Sequence, residues 1–274
     1  MKTFRDPKKL QKWCRARRLA GAKIALVPTM GYLHEGHVSL IEKAKEKGAD
    51  EIVVSVFVNP VQFCPGEDYE KYPRDEKADL AKCRAAGATA VFFPTPANMY
   101  LDRHSVYVNE EDLSKGLCGA RRPGHFRGVC TVVAKLFNLA HPNFAVFGQK
   151  DYQQAQVIKR MVRDLNFDLK IVVAPIVREP SGLARSSRNT YLSAEEKERA
   201  LALSQSLKSI TVGKTVAAER KRVTAFLEKA GLTVDYVEFV DGETLQPVKK
   251  TAKGVCVLLA VYDGKTRLID NRVL

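Results

Sequence analysis

Residues 23–40 read Lys-Ile-Ala-Leu-Val-Pro-Thr-Met-Gly-Tyr-Leu-His-Glu-Gly-His-Val-Ser-Leu. The apolar run at residues 24–27 is typical of a strand covered on both faces. Apolar residues recur further on at the spacing of a helix with one buried side. They are Leu40, Ile41 and Ala44. His34 and His37 therefore lie at the turn from strand into helix, and the stretch predicts the repeating unit of a parallel α/β sheet.

The histidine pair is placed to bind an anion. The first turn of a helix offers unpaired backbone N–H groups and the positive end of the helix dipole. Imidazoles three residues apart add donors on the same side, which suits the phosphates of a nucleotide. Two other interpretations stay open on these residues alone: a solvent-facing pair, and half of a zinc site. No further zinc ligand stands at a recognisable spacing nearby.

Composition indicates an ordinary globular chain. It has 274 residues, of which 45% are hydrophobic and 28% charged, enough for one large domain or two unequal ones. No apolar run approaches the roughly 20 residues of a membrane-spanning helix, and no apolar segment typical of a signal peptide follows the basic N-terminus. Six scattered cysteines without a Cys-x-x-Cys pair favour reduced thiols. We therefore expect a cytoplasmic protein with no membrane partner.

The charge balance is unusual, because 45 basic residues against 31 acidic ones give a formal net charge of +14. Residues 1–23 alone hold nine Lys or Arg against one Asp. This could indicate a transit peptide or a nucleic-acid-binding arm. However, Asp6-Pro7 is a good helix start, which ties the segment to the first strand. The other basic residues form no long run and have no aromatic interleaving, so we expect no nucleic-acid partner.

Strand and helix patterns alternate up to about residue 178. Strands are predicted at 24–27, 52–58, 89–93, 144–147 and 169–174, and helices at 75–86, 127–140 and 152–165. This order predicts a parallel sheet flanked by helices, in which ligands bind beyond the carboxyl ends of the strands. His34, Gln62 and the segment 148–151 each follow a strand end, so we expect them at one edge of the sheet.

The pattern changes after residue 178. Ser193 and Glu196 form a capping box that opens a charged helix, and a second helix is predicted over 215–230. Three short strands follow at 234–240, 255–261 and 267–269. We predict two domains, residues 1–178 and residues 179–274, the second a small α+β domain with its hinge near Glu179–Gly182.

Three further polar clusters follow strands or precede helices. Residues 57–63 carry the amides Asn59 and Gln62, which suit a substrate with hydroxyls and a carboxylate. Residues 147–154 place a lysine after a glycine at a helix start, where it could meet a phosphate. Residues 183–189 crowd two hydroxyls and two guanidiniums into one loop, which could clamp a triphosphate. Ordinary solvated loops are the alternative for each cluster.

The chain also resembles a known family. A strand, a loop with His-x-Gly-His and a helix are shared by the nucleotidyltransferase superfamily, and the longer string Pro-Thr-Met-Gly-x-Leu-His-x-Gly-His-x-Ser-Leu resembles the pantoate–beta-alanine ligase family. The three polar clusters described above also match this family. Three further strings extend the resemblance over nearly the whole chain: Tyr72-Pro-Arg74, Arg122-Pro-Gly-His-Phe-Arg-Gly128 and Thr266-Arg-Leu-Ile-Asp-Asn271. It implies a Rossmann-like parallel-sheet nucleotidyltransferase domain, a smaller C-terminal α+β lid domain and a homodimer.

The resemblance also implies an activity and its residues. Pantoate would be joined to β-alanine through a pantoyl adenylate, with ATP as a substrate, Mg²⁺ as cofactor, and AMP and pyrophosphate as products. The implied catalytic groups are His34, His37, Lys150 and Arg188. The implied ATP-binding residues are Pro28, Thr29, Met30, His37, Gly148, Lys150, Asp151, Val177, Ser186, Ser187 and Arg188. The implied pantoate-binding residues are Met30, Gln62 and Gln154, and no metal ligand is implied on the protein.

One departure and two alternatives remain. Where the family commonly reads Asp-Gly-Leu-Ala, this chain has Ser181 first, so a carboxylate at the expected hinge is missing. A different small-molecule nucleotidyltransferase would share the His-x-Gly-His loop. A basic nucleic-acid-binding protein would account for the charge alone.

Overall fold

The structure, a computed structural model, describes residues 1–274. The strands are β1 Lys2–Phe4, β2 Ile24–Thr29, β3 Glu51–Val56, β4 Ala90–Phe92, β5 Phe144–Gly148, β6 Lys170–Ala174, β7 Thr233–Asp241, β8 Val255–Asp263 and β9 Thr266–Val273. The helices are α1 Pro7–Leu19, α2 Glu35–Glu46, α3 Glu76–Ala86, α4 Pro96–Met99, α5 Leu117–Arg121, α6 His125–Ala140, α7 Tyr152–Asp164, α8 Ala194–Lys208 and α9 Val216–Lys229. The alternation predicted from sequence is confirmed.

Six strands form one parallel sheet in the order β1-β4-β3-β2-β5-β6. Strand β2 lies between β3 and β5, so the loops that follow these three strands leave the same edge side by side. The core residues of β2 and β3 are fully buried because helices cover the sheet. This arrangement places the His-x-Gly-His loop and the Asn59–Gln62 segment next to each other.

The basic N-terminal segment is part of the fold. Asp6 caps α1 by accepting the Lys9 N–H at 3.0 Å, as its position before a proline predicts. Arg17 donates through Nε to the nearly buried Glu51 at 2.6 Å. Strand β1, which the sequence analysis did not predict, pairs with β4 at the sheet edge. Three residues are too few to show a strand periodicity.

Chain contacts divide the protein into two compact units. The first comprises residues 1–148 and 154–174, and the second residues 149–153 and 175–274. The division predicted from the sequence, into residues 1–178 and residues 179–274 with a hinge near Glu179–Gly182, stays a prediction.

The second unit is built on a three-stranded antiparallel sheet, β7-β8-β9. Helices α8 and α9 pack on it around a core that includes Leu203, Val223 and Phe239. The capping box predicted at the start of α8 is confirmed, with Ser193 and Glu196 each accepting the other's backbone N–H. The predicted small α+β unit is thus present.

All six cysteines are free, and Cys14, Cys83, Cys130 and Cys256 are buried. Every helix is too short or too polar to cross a membrane.

Candidate active site

The two histidines cap the helix that they begin. The Nδ1 atom of His34 accepts the Gly36 N–H at 3.1 Å, and the Nδ1 atom of His37 accepts the His34 N–H at 3.2 Å. Because both Nδ1 atoms are acceptors, each neutral imidazole carries its proton on Nε2. The ring centroids are 4.1 Å apart. The loop therefore fixes the tautomer of both rings and makes each Nε2 a hydrogen-bond donor.

A buried carboxylate holds the loop in front of His34. Asp79, on α3 and 1% exposed, accepts the N–H groups of Tyr32 at 2.9 Å and Leu33 at 2.7 Å. Tyr32 has φ +49° and Gly31 has φ +85°, so two consecutive residues are left-handed. A Cβ at Gly31 would lie 2.8 Å from the side chain of Val56. The close packing and the carboxylate together determine where the helix begins.

Burial raises the pKa of Asp79, and the two N–H groups that it accepts act in the opposite direction. Lys82, one turn further along α3, donates to the carbonyl of Leu33. The same helix thus supplies an acceptor for the N–H groups and a donor for the carbonyl of this loop.

Gln62 lies at the end of a short 3₁₀ turn, Pro60–Gln62, that follows β3. Its side chain is mostly buried, and its Nε2 is 3.2 Å from Sδ of Met30. Its Oε1 accepts from Nδ2 of Asn59 at 3.0 Å. The structure therefore brings together Met30 and Gln62, two of the residues predicted to bind the same substrate. Asn59, singled out as an amide in this cluster, is 1% exposed and bonded within the protein.

The backbone of Gln62 is held by a second network. The carbonyl of Gln62 accepts from Nδ1 of His125 at 2.8 Å, and Nε2 of His125 lies 3.0 Å from Nη1 of Arg122. Because an arginine only donates, His125 is the neutral tautomer with its proton on Nδ1. Arg122 in turn makes two hydrogen bonds to Glu67, at 2.6 and 2.7 Å. Sequence reasoning found no role for Glu67, because its partner is 55 residues away.

The Glu67–Arg122 pair predicts a pH dependence of stability. Burial raises the pKa of Glu67, but the hydrogen bond and charge of Arg122 outweigh burial, so this pKa lies below its usual 4.5. Such a carboxyl stabilises the fold above its usual pKa, and the stabilisation is lost as the pH falls through the lowered value. Relative to the unmodified protein, Glu67→Gln should show a deficit in the free energy of unfolding that is constant well above pH 4.5 and shrinks as the pH falls below 4.5, measured by urea unfolding.

Glu70→Gln is the matched control for this measurement, because Glu70 is exposed in the same loop. Its curve of stability against pH should run close to that of the unmodified protein. A constant deficit for Glu67→Gln at every pH would contradict the assignment.

The remaining predicted residues of the first unit lie at or near strand ends. Pro28 and Thr29 end β2, and the Thr29 hydroxyl donates to the Ser55 carbonyl at 2.8 Å while accepting the Gly31 N–H. Gly148 is the last residue of β5, and Gln154 lies in the first turn of α7. These positions agree with the expected sheet edge, and the ligands of these residues stay predictions.

In the second unit, Lys150 lies in a short turn, Gln149–Asp151. Its Nζ is 3.9 Å from Oδ1 of Asp151. Asn271 on β9 donates through Nδ2 to the carbonyls of Gln149 and Lys150, both at 3.0 Å. The turn that carries the lysine is therefore held by the last strand of the chain, 121 residues further on.

The hydroxyl and guanidinium loop is also ordered within the second unit. Ser186 caps a 3₁₀ turn, Ser187–Tyr191, and its Oγ accepts the Arg188 N–H at 3.3 Å. The carbonyl of Val177 accepts the Arg185 N–H at 2.9 Å, which joins the segment before the loop to the loop itself. Ser187 is mostly buried, whereas Ser186 and Arg188 are half-buried.

A tight hairpin precedes this loop. Gly182, at φ +102°, donates to the Glu179 carbonyl, and Ser181 is exposed at the tip. Arg178 makes two hydrogen bonds to the buried Asp270 of β9, at 2.7 and 3.0 Å. The predicted hinge segment is thus an ordered turn, and the charge pair at its base is formed by Arg178, not by residue 181.

These groups suit transfer chemistry at phosphorus or at an acyl carbon. Two neutral imidazoles and an amide donor lie in the first unit, and a lysine, two hydroxyls and an arginine lie in the second. Groups of this kind stabilise developing negative charge. No group of three or more His, Cys, Asp or Glu side chains could hold a metal ion. The fold and its histidine loop define an α/β enzyme of the nucleotidyltransferase class.

Comparison with known proteins narrows this class. A family model described as Pantoate-beta-alanine ligase matches residues 2–273. The pantothenate synthetase of Anaeromyxobacter dehalogenans (strain 2CP-C) is 54% identical over 277 residues, which cover 97% of this chain and 96% of that protein. This chain therefore belongs to the pantoate–beta-alanine ligase family.

Solved structures agree. Pantothenate synthetase from Thermus thermophilus is 41% identical, with a TM-score of 0.91 over 100% of this chain and 99% of that one. Pantoate-beta-alanine ligase from Francisella tularensis, complexed with Beta-gamma ATP and beta-alanine, is 34% identical, with a TM-score of 0.86 over 100% of this chain and 97% of that one. The predicted fold class and family are confirmed.

Proposed function

We propose that this protein condenses pantoate with β-alanine in an ATP-dependent reaction that releases AMP and pyrophosphate. Family membership over residues 2–273 is the observation that carries the proposal. The related enzyme from Francisella tularensis, complexed with Beta-gamma ATP and beta-alanine, supports two of the three substrates. The fixed donors of the His-x-Gly-His loop and the amide of Gln62 support the chemistry.

The first step forms pantoyl adenylate. A carboxylate oxygen of pantoate attacks the α-phosphorus of ATP. The bond between this phosphorus and the oxygen that bridges it to the β-phosphorus breaks, and pyrophosphate leaves. Negative charge builds on the phosphoryl oxygens and on the leaving group. In our proposal the Nε2–H groups of His34 and His37 stabilise this charge together with Lys150 and Arg188.

The second step releases pantothenate. The amine of β-alanine attacks the acyl carbon of the adenylate, the bond to the phosphate oxygen breaks, and AMP leaves as the amine loses a proton. Since the intermediate is an activated acyl group, the protein needs no covalent nucleophile. Its contribution is to align the reactants and stabilise charge.

The substrates are divided among the predicted residues as follows. Gln62, Gln154 and Met30 hold pantoate. Lys150, Ser186, Ser187 and Arg188 bind the phosphates of ATP, as do the two histidines, and Gly148 and Asp151 hold the ribose. Pro28, Thr29 and Val177 complete the ATP-binding set. We propose this assignment for direct test by substitution.

Magnesium fits the proposal as part of the nucleotide. Mg²⁺ keeps several waters and binds substrate phosphates more readily than cages made only of protein. When bound to ATP the ion would neutralise phosphate charge, and His34, His37, Lys150 and Arg188 would supply the remaining donors. We further propose a homodimer and a cytoplasmic location, as the family resemblance implies.

The proposal is tested by isotope exchange between pyrophosphate and ATP. Because the adenylate forms before β-alanine reacts, exchange should require pantoate and proceed without β-alanine. The complete reaction should yield AMP and pyrophosphate in equal amounts and require both acids. Formation of ADP, or exchange in the absence of pantoate, would contradict the proposal.

A further inference from the structure

A line of three polar side chains ends at the amide of Gln62. Tyr100 follows the short helix α4, and its hydroxyl donates to Oδ1 of Asn59 at 2.7 Å. Asn59 then donates through Nδ2 to Oε1 of Gln62 at 3.0 Å. All three residues belong to the first unit, and none was assigned to the reaction except Gln62.

The amide of Asn59 has only one orientation that satisfies its surroundings. Its oxygen accepts from the Tyr100 hydroxyl and from the Val61 N–H at 3.3 Å. Its nitrogen donates to Gln62 and to the Gly128 carbonyl at 3.2 Å. Rotating the amide by half a turn would face donor with donor at Val61 and acceptor with acceptor at Gly128. The shortest of the four hydrogen bonds is the one from Tyr100.

The orientation of Asn59 decides which end of Gln62 the substrate meets. Since Oε1 of Gln62 accepts from Asn59, its Nε2 is the end directed toward Met30. An N–H₂ group recognises an oxygen acceptor, such as a carboxylate or a hydroxyl oxygen. We propose that Tyr100 is a positioning residue for the acid substrate: its hydroxyl holds Asn59 in the orientation that Val61 and Gly128 select, and Asn59 turns the donor end of Gln62 toward pantoate. This inference rests on the proposed function.

Tyr100 is itself well held. Its ring packs against His104 at 5.0 Å and Phe57 at 6.4 Å between centroids, and Lys135 lies 5.8 Å from its centre. Burial raises the pKa of Tyr100, so the hydroxyl keeps its proton and remains a donor. The ring cannot turn away without losing these contacts, and the position of the hydroxyl oxygen is therefore fixed.

The test is Tyr100→Phe, which removes one oxygen and keeps the ring. We expect the KM for pantoate to rise about three- to tenfold, the range of one hydrogen bond, while the KM for ATP and the melting temperature change little. Tyr107→Phe is the matched control, because the ring of Tyr107 packs edge-to-face against His104 in the same cluster. Its hydroxyl makes no hydrogen bond to Tyr100, Asn59 or Gln62. It should leave both KM values unchanged. Equal effects of the two variants, or an unchanged pantoate KM in Tyr100→Phe, would overturn the inference.

A double-mutant cycle tests the route through Gln62. If Tyr100 acts only through that amide, Tyr100→Phe should have no further effect on the pantoate KM in a Gln62→Ala background. Additive effects would overturn the inference and leave the proposed function intact. An unchanged pantoate KM in Gln62→Ala itself would overturn both the inference and the assignment of Gln62, while the exchange assay above still tests the reaction.

Asn59→Asp provides a second variant of nearly the same shape. A carboxylate at this position cannot donate to Oε1, so Gln62 would turn its nitrogen toward residue 59 and present its oxygen to the substrate. The KM for pantoate should rise more than in Tyr100→Phe. An unchanged value in a folded protein would contradict the inference.

Discussion

Replacing His34 by asparagine should lower the rate of adenylate formation by about 10²–10³-fold, the usual loss when one preorganised donor to a developing anion is removed. In the structure the imidazole caps α2 through Nδ1, which leaves the proton on Nε2. Asparagine is a good N-cap, since its side-chain oxygen can accept the same backbone N–H groups. The shorter asparagine side chain has no donor that reaches as far as the Nε2–H group of histidine. Pyrophosphate–ATP exchange in the presence of pantoate measures the effect.

His34→Ala separates the two roles of the residue. Alanine removes the cap as well as the donor, and loss of an N-cap costs about 1 kcal/mol of stability. We therefore expect both variants to lose activity to a similar extent, while only the alanine variant melts at a lower temperature. An asparagine variant with near-normal exchange would show that the imidazole serves only as a helix cap.

The sequence predicts this loop well because every signal for it is local. The apolar run of β2, the glycines and the helical spacing after His37 lie within about 20 residues of one another. The same holds for the capping box of α8. The sequence did not predict that two histidines cap the helix, with His34 accepting the Gly36 N–H and His37 the His34 N–H, because Ser, Thr, Asp and Asn are the residues expected there.

The sequence could not predict hydrogen-bond partners that lie far apart in the chain and meet only when it folds. Asn271 supports the Lys150 turn from 121 residues away, and Arg122 and His125 support Gln62 from about 60. The stretch around Asn271 was noted only for its family resemblance. A helix pattern such as that of α3 indicates which side is buried, and it does not indicate which loop a buried aspartate will bind. The ligand roles of the predicted residues stay predictions until substitution tests them.

Asp79 is the clearest such partner. Replacing it by alanine should lower the rate of pyrophosphate–ATP exchange by about 100-fold, because a displacement of a catalytic group by about 1 Å is enough for such a loss. Its carboxylate accepts the N–H groups of Tyr32 and Leu33, directly before His34. A buried N–H left without a partner costs about 1–3 kcal/mol. The loop is expected to relax away from its two left-handed residues, and the start of α2 would move with it.

Asp75→Ala provides the control, since Asp75 caps the same helix by accepting the Ala78 N–H and makes no hydrogen bond to the loop. Both variants should lose stability in thermal unfolding, but only Asp79→Ala should lose activity at a temperature where both remain folded. Asp79→Asn should fall between, because an amide offers one acceptor oxygen and directs a donor at the second N–H. If Asp75→Ala and Asp79→Ala lost activity equally, the effect would be one of helix stability and not of loop position. If only Asp79→Ala loses activity, the geometry of the histidine pair depends on a carboxylate that lies outside the motif.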